Sequence, residues 1–284
     1  MDTELLKSVL RVPTSSGQET MMIAFLLEWA GQRGIRCWRD KHRNVYMLKG
    51  AYSDGRKLPC VGAHIDSVQP IFDIDLREEN GIITAERDGK QAGFGADDKA
   101  GVAVCLSLID QMVHIGAVFF AGEEVGAQGA YLADAAFFKD YVGCFIEYDC
   151  PSFGMLSYSA GGQRLFENGK PFIEIALPVL MKHGTTLWQR HPYTDVMAIR
   201  KRFPISCLNL SCGYHNWHAP NECVVIDEVS AAIDQGFDLI CALGGGDYRC
   251  PVTIVEDAEA PPAIGIGGIR VPRPMESVLV SRSA

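Results

Sequence analysis

The chain has no run of the ~18 apolar residues that a membrane-spanning helix needs, so no membrane partner is expected. Its opening, MDTELLKSVL, carries acids and lacks the basic-then-apolar order of a secretory signal, which points to a cytoplasmic location. Positive charge is scarce. Lys and Arg total 26 against 35 Asp and Glu, a net charge of −9 with His neutral. A nucleic-acid partner would need a basic face, so none is expected. No CxxC pair occurs among the ten cysteines. Cys60, Cys105, Cys144 and Cys207 sit in apolar runs and read as buried free thiols in a reducing compartment, not as a disulfide scaffold. There is also no internal repeat. What is present is apolar residue, 48% of 284, with 21% charged. That suffices for one large α/β domain or two small ones and argues against disorder.

Periodicity predicts helices at TELLKSVLRV, with Thr3 as N-cap, and at QETMMIAFLLEWAGQRG, closed by Gly34. Short apolar runs at GIRCW, NVYMLKG and LPCVGAH read as strands. DLREENGIITAERDGKQAGFG reads as a polar hairpin, and DKAGVAVCLSLIDQM as a helix. IGAVFFAG and YVGCFIEYD are apolar on both parities, as strands covered on both faces are, with a helix near GAYLADAAFF between them. SFGMLSYSAGGQRLFENG reads as a second hairpin. FIEIALPVLMKHG is expected to be a helix that Pro178 perturbs. FPISCLNLSCG is a strand, and DEVSAAIDQGFDLICALGGG a last helix. The alternation predicts a three-layer α/β/α domain on a mostly parallel mixed sheet over residues 1–246, followed by a Pro- and Gly-rich tail, 247–284.

Such sheets carry ligands at the carboxyl ends of their strands. There the sequence places His64 and Asp66 in VGAHIDSV, Glu123 and Glu124 in FFAGEEVGAQGA, Asp149 in FIEYDCPS, and His215 and His218 in LSCGYHNWHAPNE. GADDKAG, with Asp97 and Asp98, opens a helix. Each has a bland reading alone: a chance His–Asp contact, a solvated acidic turn, a helix cap, a surface histidine. Together, at five such ends, they read as a metal centre. Imidazole and carboxylate suit zinc. Two divalent cations about 3.5–4 Å apart share a water and need a carboxylate between them. One aspartate of the adjacent pair is expected to face the metals.

HID, GADDKAG, EEVGAQGA, EYD and YHNWHAPNE, in this order, resemble the co-catalytic di-zinc exopeptidases. GADDKAG with EEVG looks most like peptidase T and its carboxypeptidase-like relatives. PYTDVMAI to HAPNE looks more like the glutamyl and tetrahedral aminopeptidases. The resemblance covers about residues 10 to 245 and implies the phosphorylase/hydrolase-like fold of these enzymes. It implies that His64 and Asp149 bind one zinc, that Glu124 and His218 bind the other, and that Asp97 bridges them. It implies Glu123 as the general base and Asp66 as the acid orienting His64. His218 is preferred to His215 because an acid, Glu222, follows it four positions on. Two Zn²⁺ per chain are implied; Mn²⁺ or Co²⁺ could use the same ligands.

The chain also departs from these families. Asp66 to Asp97 has room for a hairpin but not for an inserted domain, and Asp149 to His218 is too short to hold a lid as well as the sheet. A single catalytic domain without lid is expected. The substrate wall is then expected from the 71–94 and 151–170 hairpins and from RHPYTDVM, with His191, Tyr193, Thr194 and Asp195 as candidate contacts. The implied activity is hydrolysis of short peptides as an aminopeptidase. A deacylase of N-acyl amino acids and an inactive metal-binding homologue remain as alternatives. Asp195, for an ammonium, favours the peptidase; Arg164, for a carboxylate, favours the deacylase. Self-association stays open, with PPAIGIGGIRVP in the tail as a contact for a neighbouring chain or for its own domain.

Overall fold

The computed structural model describes residues 2–191 and 194–251; of His191 it describes the backbone. The chain begins with α1 (Thr3–Arg11) and α2 (Thr20–Gln32). Asp2, not Thr3, caps α1: its backbone is extended and its carboxylate accepts the N–H groups of Glu4 and Leu5 in the first turn. Strands β1 (Arg36–Arg39), β2 (Val45–Lys49) and β3 (Leu58–His64) follow, then the β4 (Asp75–Glu79), β5 (Ile82–Arg87) and β6 (Lys90–Gln91) excursion. Helix α3 (Ala96–Gln111) leads to β7 (Ile115–Phe120), short helices α4 (Gln128–Tyr131) and α5 (Ala135–Tyr141), and β8 (Val142–Cys150). Next come β9 (Met155–Ala160), β10 (Gln163–Arg164), α6 (Pro171–Lys182), β11 (Leu187–His191) and α7 (Asp195–Arg202). The described chain closes with β12 (Ser206–Ser211), β13 (Tyr214–His215), β14 (Cys223–Val225) and α8 (Ile226–Leu243).

One nine-stranded sheet runs β1-β2-β7-β3-β8-β12-β9-β10, with β11 on β9. Its centre, β7, β3, β8 and β12, is parallel. Those four strands are buried along their length, which explains their apolar residues on both parities. Alternation along β8 assigns the faces. Phe145 packs on Phe138 of α5, while Tyr148 lies against Gly236 of α8. Glu147 and Asp149 share the Phe145 parity and so look toward the α5 and α7 side.

Some local expectations change. The SFGMLSYSAGGQRLFENG stretch holds the expected hairpin, β9 antiparallel to β10, and β9 also runs antiparallel to β12, so the hairpin extends the main sheet. Strands β11, β13 and β14 were not readable, being short and set among polar residues. The 71–94 hairpin pairs through β5 with β14 in a second, five-stranded sheet. Pro178 sits inside α6 without ending it. The sequence-based break at 246/247 is not a break in packing: Ser206 N–H donates to Tyr248 O, and Arg249 bridges to Ile205. The remainder of the tail, with PPAIGIGGIRVP, lies outside the described residues. No helix among the described residues is long and apolar enough to cross a membrane. No described cysteine is in a disulfide.

At Gly101, α3 lies close against β8. A Cβ there would run into Tyr148 O and the Asp98 carboxylate. Neither backbone nor buried acid can yield, so Gly101→Ala is expected to cost about 3 kcal/mol. A urea titration of the variant against the parent measures it.

Candidate active site

The parallel strands deliver their carboxyl ends to one edge. β3 ends at His64, the chain leaving β7 carries Glu123 and Glu124, β8 brings Asp149, and the turn after β13 brings His218. Asp97 enters from the start of α3, where Gly95, with φ +69, turns the chain into the helix. The Asp97–Asp98 peptide is cis.

The two carboxylate oxygens of Asp97 divide between two histidines. Oδ1 is 3.0 Å from His64 Nε2, and Oδ2 is 3.3 Å from His218 Nε2. On the His64 side, Asp149 Oδ1 stands 3.8 Å from Nε2. On the His218 side, Glu124 Oε1 stands 2.8 Å from Nε2. The structure thus brings His64, Asp97, Glu124, Asp149 and His218 into one cluster. His64, Asp97 and Glu124 offer ligand atoms all within 4.8 Å of one another. His64, Asp98 and Asp149 form a second such group. Asp98, however, is wholly buried and already accepts the His64 and Gly101 N–H groups and the Cys212 thiol. Asp97, with a free edge toward each histidine, is the better partner for Asp149.

Asp66 works behind these groups. Its carbonyl and Oδ1 lie 3.2 and 3.5 Å from His64 Nδ1. Its carboxylate also accepts the N–H groups of Glu123 and Glu124 and the Ser16 hydroxyl, so one acid fixes both the histidine and the Glu-Glu turn. Glu222 does the same for Asp97: it accepts the N–H groups of Phe94, Gly95 and Asp97 at 2.6, 2.8 and 3.4 Å. The sequence marked Glu222 only by its distance from His218. His215 points elsewhere, 2.6 Å from Glu228.

The electrostatics describe a site short of positive charge. Burial, with Asp97 and Asp98 nearby, holds Asp149 well above the usual carboxylate range. Burial pushes Glu123 up to about 7, with Glu124 and Asp97 adding to it against His64. Glu147 rises to about 8, mainly by burial. Hydrogen bonds that His218 donates to Asp97 and Glu124 raise it to about 10. Lys99, though buried nearby, turns its ammonium to the carbonyls of Leu10 and Phe94. Buried like charges at this density need cations, and a divalent ion reverses these directions. The donor set, two imidazoles and three carboxylates split by a two-sided aspartate, fits two such ions.

A cavity of about 390 Å³ opens over the cluster. Beyond the acids and histidines, its wall includes Pro151, Met155, Gln189, Arg190, Tyr214 and Trp217. The 151–170 stretch and Arg190 of RHPYTDVM contribute as expected, whereas no residue of the 71–94 hairpin lines it, because that hairpin is drawn into the second sheet. Thr194 and Asp195, expected on the wall, are fully buried and do not line the cavity. The extended chain before α7 turns them inward, toward β8. Thr194 Oγ1 is 2.6 Å from Glu147 Oε2 and 2.9 Å from Asp149 Oδ2. Both carboxylate oxygens of Asp195 are buried without a hydrogen-bond partner. The His191 side chain and Tyr193 lie outside the described residues. Arg164 does not line the cavity; its carbonyl accepts from Arg200 on α7. Glu147 and Tyr214 were missed. Glu147 was findable, standing two positions before Asp149 on a strand and therefore on the same face.

The fold, a mostly parallel mixed sheet between helices with the acids and histidines at its carboxyl edge, is one shared with solved peptidases. The solved structures it resembles include aminopeptidases, a tripeptidase and an endoglucanase. An aminopeptidase PepT from Bacillus cereus matches with a TM-score of 0.73 at 16% identity, over 85% of this chain and 97% of its own. A tripeptidase from Staphylococcus aureus matches with 0.73 at 14%, over 84% and 96%. The TET1 peptidase of Pyrococcus horikoshii matches with 0.66 at 14%, over 84% and 98%. At these identities the likeness is one of fold. No family model matches the chain, and no curated protein sequence does.

Proposed function

We propose that the chain is a metal-dependent peptidase that releases residues from the amino ends of short peptides. The carrying observation is the division of Asp97 between His64 and His218, the arrangement a carboxylate bridging two cations requires. Zinc suits the donors, and Mn²⁺ or Co²⁺ could take the same places. Bound there, the cations would lower the pKa of a water and polarise the scissile carbonyl. Glu123, beside the cluster and facing the cavity, takes the proton of the attacking water and hands it to the leaving amine. Asp66 holds the Glu123 backbone in place for both transfers. The likeness in fold to aminopeptidases and a tripeptidase supports this substrate class. The TET1 peptidase assembles into a tetrahedron or an octahedral shell, and self-association of this chain belongs to the same proposal.

Tyr214 supplies a donor from the domain itself. Its hydroxyl, buried and facing the cavity, reaches Asp149 Oδ1 at 3.3 Å and can donate to a carbonyl oxygen gaining charge. Tyr214→Phe is expected to lower kcat by about 10²-fold with KM little changed. Steady-state kinetics on zinc-loaded protein check this.

One observation keeps the deacylase reading in play. Arg190 lines the cavity and carries the charge that would meet a substrate carboxylate. A substrate panel on zinc-loaded protein separates the two readings: aminoacyl anilides, di- and tripeptides, and N-acetyl amino acids. Cleavage of anilides and peptides alone establishes the aminopeptidase; cleavage of N-acetyl amino acids alone establishes the deacylase and overturns our reading.

A further inference from the structure

Asp149 is held from behind by a residue that never reaches the cavity. Thr194 is fully buried and stands immediately before α7, where its carbonyl accepts the Met197 N–H. Its hydroxyl sits between two acids of β8, 2.6 Å from Glu147 Oε2 and 2.9 Å from Asp149 Oδ2. Glu147 is itself anchored, because Oε2 also accepts the Val196 N–H at 3.1 Å. The other oxygen of Asp149, Oδ1, faces the centre, 3.8 Å from His64 Nε2. The backbone of Asp149 is tied separately, its N–H donating to Asn209 Oδ1.

We propose that Thr194 is a positioning residue for the metal centre: its hydroxyl, braced by Glu147, fixes the Asp149 carboxylate so that Oδ1 points at the cation shared with His64. The proposal rests on Asp149 being a metal ligand and adds a role for a residue whose side chain touches neither metal nor substrate. The physical need is specific. The terminal torsion of an aspartate is broad, and the backbone tie to Asn209 does not fix it. Oδ1 has a longer, 3.3 Å contact with the Tyr214 hydroxyl, so the 2.9 Å bond from Thr194 to Oδ2 is the closer hold on the carboxylate plane. Without a hydroxyl between them, two buried carboxylates would face each other across the gap, and Asp149 would turn to relieve the contact. The effect is confined to one ion. Glu124 and His218 touch neither Thr194 nor Glu147, so the other position should be indifferent to the change.

Zinc titration of the full chain against a chelating dye tests this, on the parent, Thr194→Val and Thr194→Ser. The expected result is two equivalents in the parent. In Thr194→Val one equivalent should weaken by about 10–100-fold while the other stays within about threefold. Thr194→Ser should restore the lost affinity, which a purely packing role for the side chain would not predict. Melting of the metal-free protein should fall in Thr194→Val, because two buried acids lose a hydrogen-bond partner, and recover in Thr194→Ser. Thr194→Ala, smaller and equally without a hydroxyl, carries the same expectation should the valine variant not fold. Two tight equivalents in both variants, or a serine variant as weak as the valine one, overturns the proposal. A parent that takes up no zinc overturns it together with the metal reading of Asp149. A parent that binds two zincs but cleaves nothing in the substrate panel removes the peptidase reading alone; the loss of one equivalent in Thr194→Val then still supports the role of Thr194.

Discussion

Glu123→Gln should lower kcat by about 10²–10⁴-fold, the range that general-base catalysis contributes, while both metal equivalents stay bound. Glu123 belongs to neither group of converging ligand atoms, whereas its neighbour Glu124 lies 2.8 Å from His218 Nε2. Glutamine keeps the size of the side chain, and the Asp66 hydrogen bond is to the backbone of residue 123, so the turn should keep its shape. What the amide cannot do is accept a proton from water near neutral pH. KM should therefore change little. Elemental analysis beside steady-state kinetics separates the roles of the two acids, because Glu124→Gln should instead lose metal. Exchanged phenotypes would reverse the assignment.

Asp97→Ala should remove more of the centre than any other single change. Its two oxygens serve the His64 and His218 sides at once, so alanine takes a ligand from both positions and the negative charge from between them. Without that charge, two close cations repel one another. Metal content should fall from two equivalents to one or fewer. Turnover should fall on the order of 10³-fold or more, since metal activation supplies several kcal/mol to such a reaction. Anomalous scattering at the zinc edge, with activity measured in excess zinc, checks both. A variant that still binds two ions at full strength would remove Asp97 as the bridge.

The ligand cluster was legible because each member stands at the end of a strand or the start of a helix that period and length make visible. LPCVGAH, IGAVFFAG and YVGCFIEYD are buried on both faces, and that near-continuous apolar run is the mark of a central parallel strand. His64, Glu123, Glu124 and Asp149 therefore fall at one sheet edge in any parallel arrangement of those strands. The supports were less legible. Glu222 serves Asp97 from far along the chain, through backbone N–H groups that no residue pattern records. Thr194 and Asp195 are expected on the wall because, in a domain without lid, the loop RHPYTDVM has to supply substrate contacts. Whether such a side chain turns outward or inward depends on how α7 meets β8, and that is a packing outcome.

The sequence by itself determined the class of fold, the order of its central strands and helices, and the acids and histidines that chemistry would gather. Those properties rest on local periodicity and on residue type, which act over a few positions. The tertiary structure alone decided which oxygen of Asp97 faces which histidine and which hairpin leaves the cavity for a second sheet. It also decided that Glu147 and Thr194 stand behind Asp149. These are relations between segments distant in the chain, set by close packing and by the need of every buried polar group for a partner, and no local pattern encodes them.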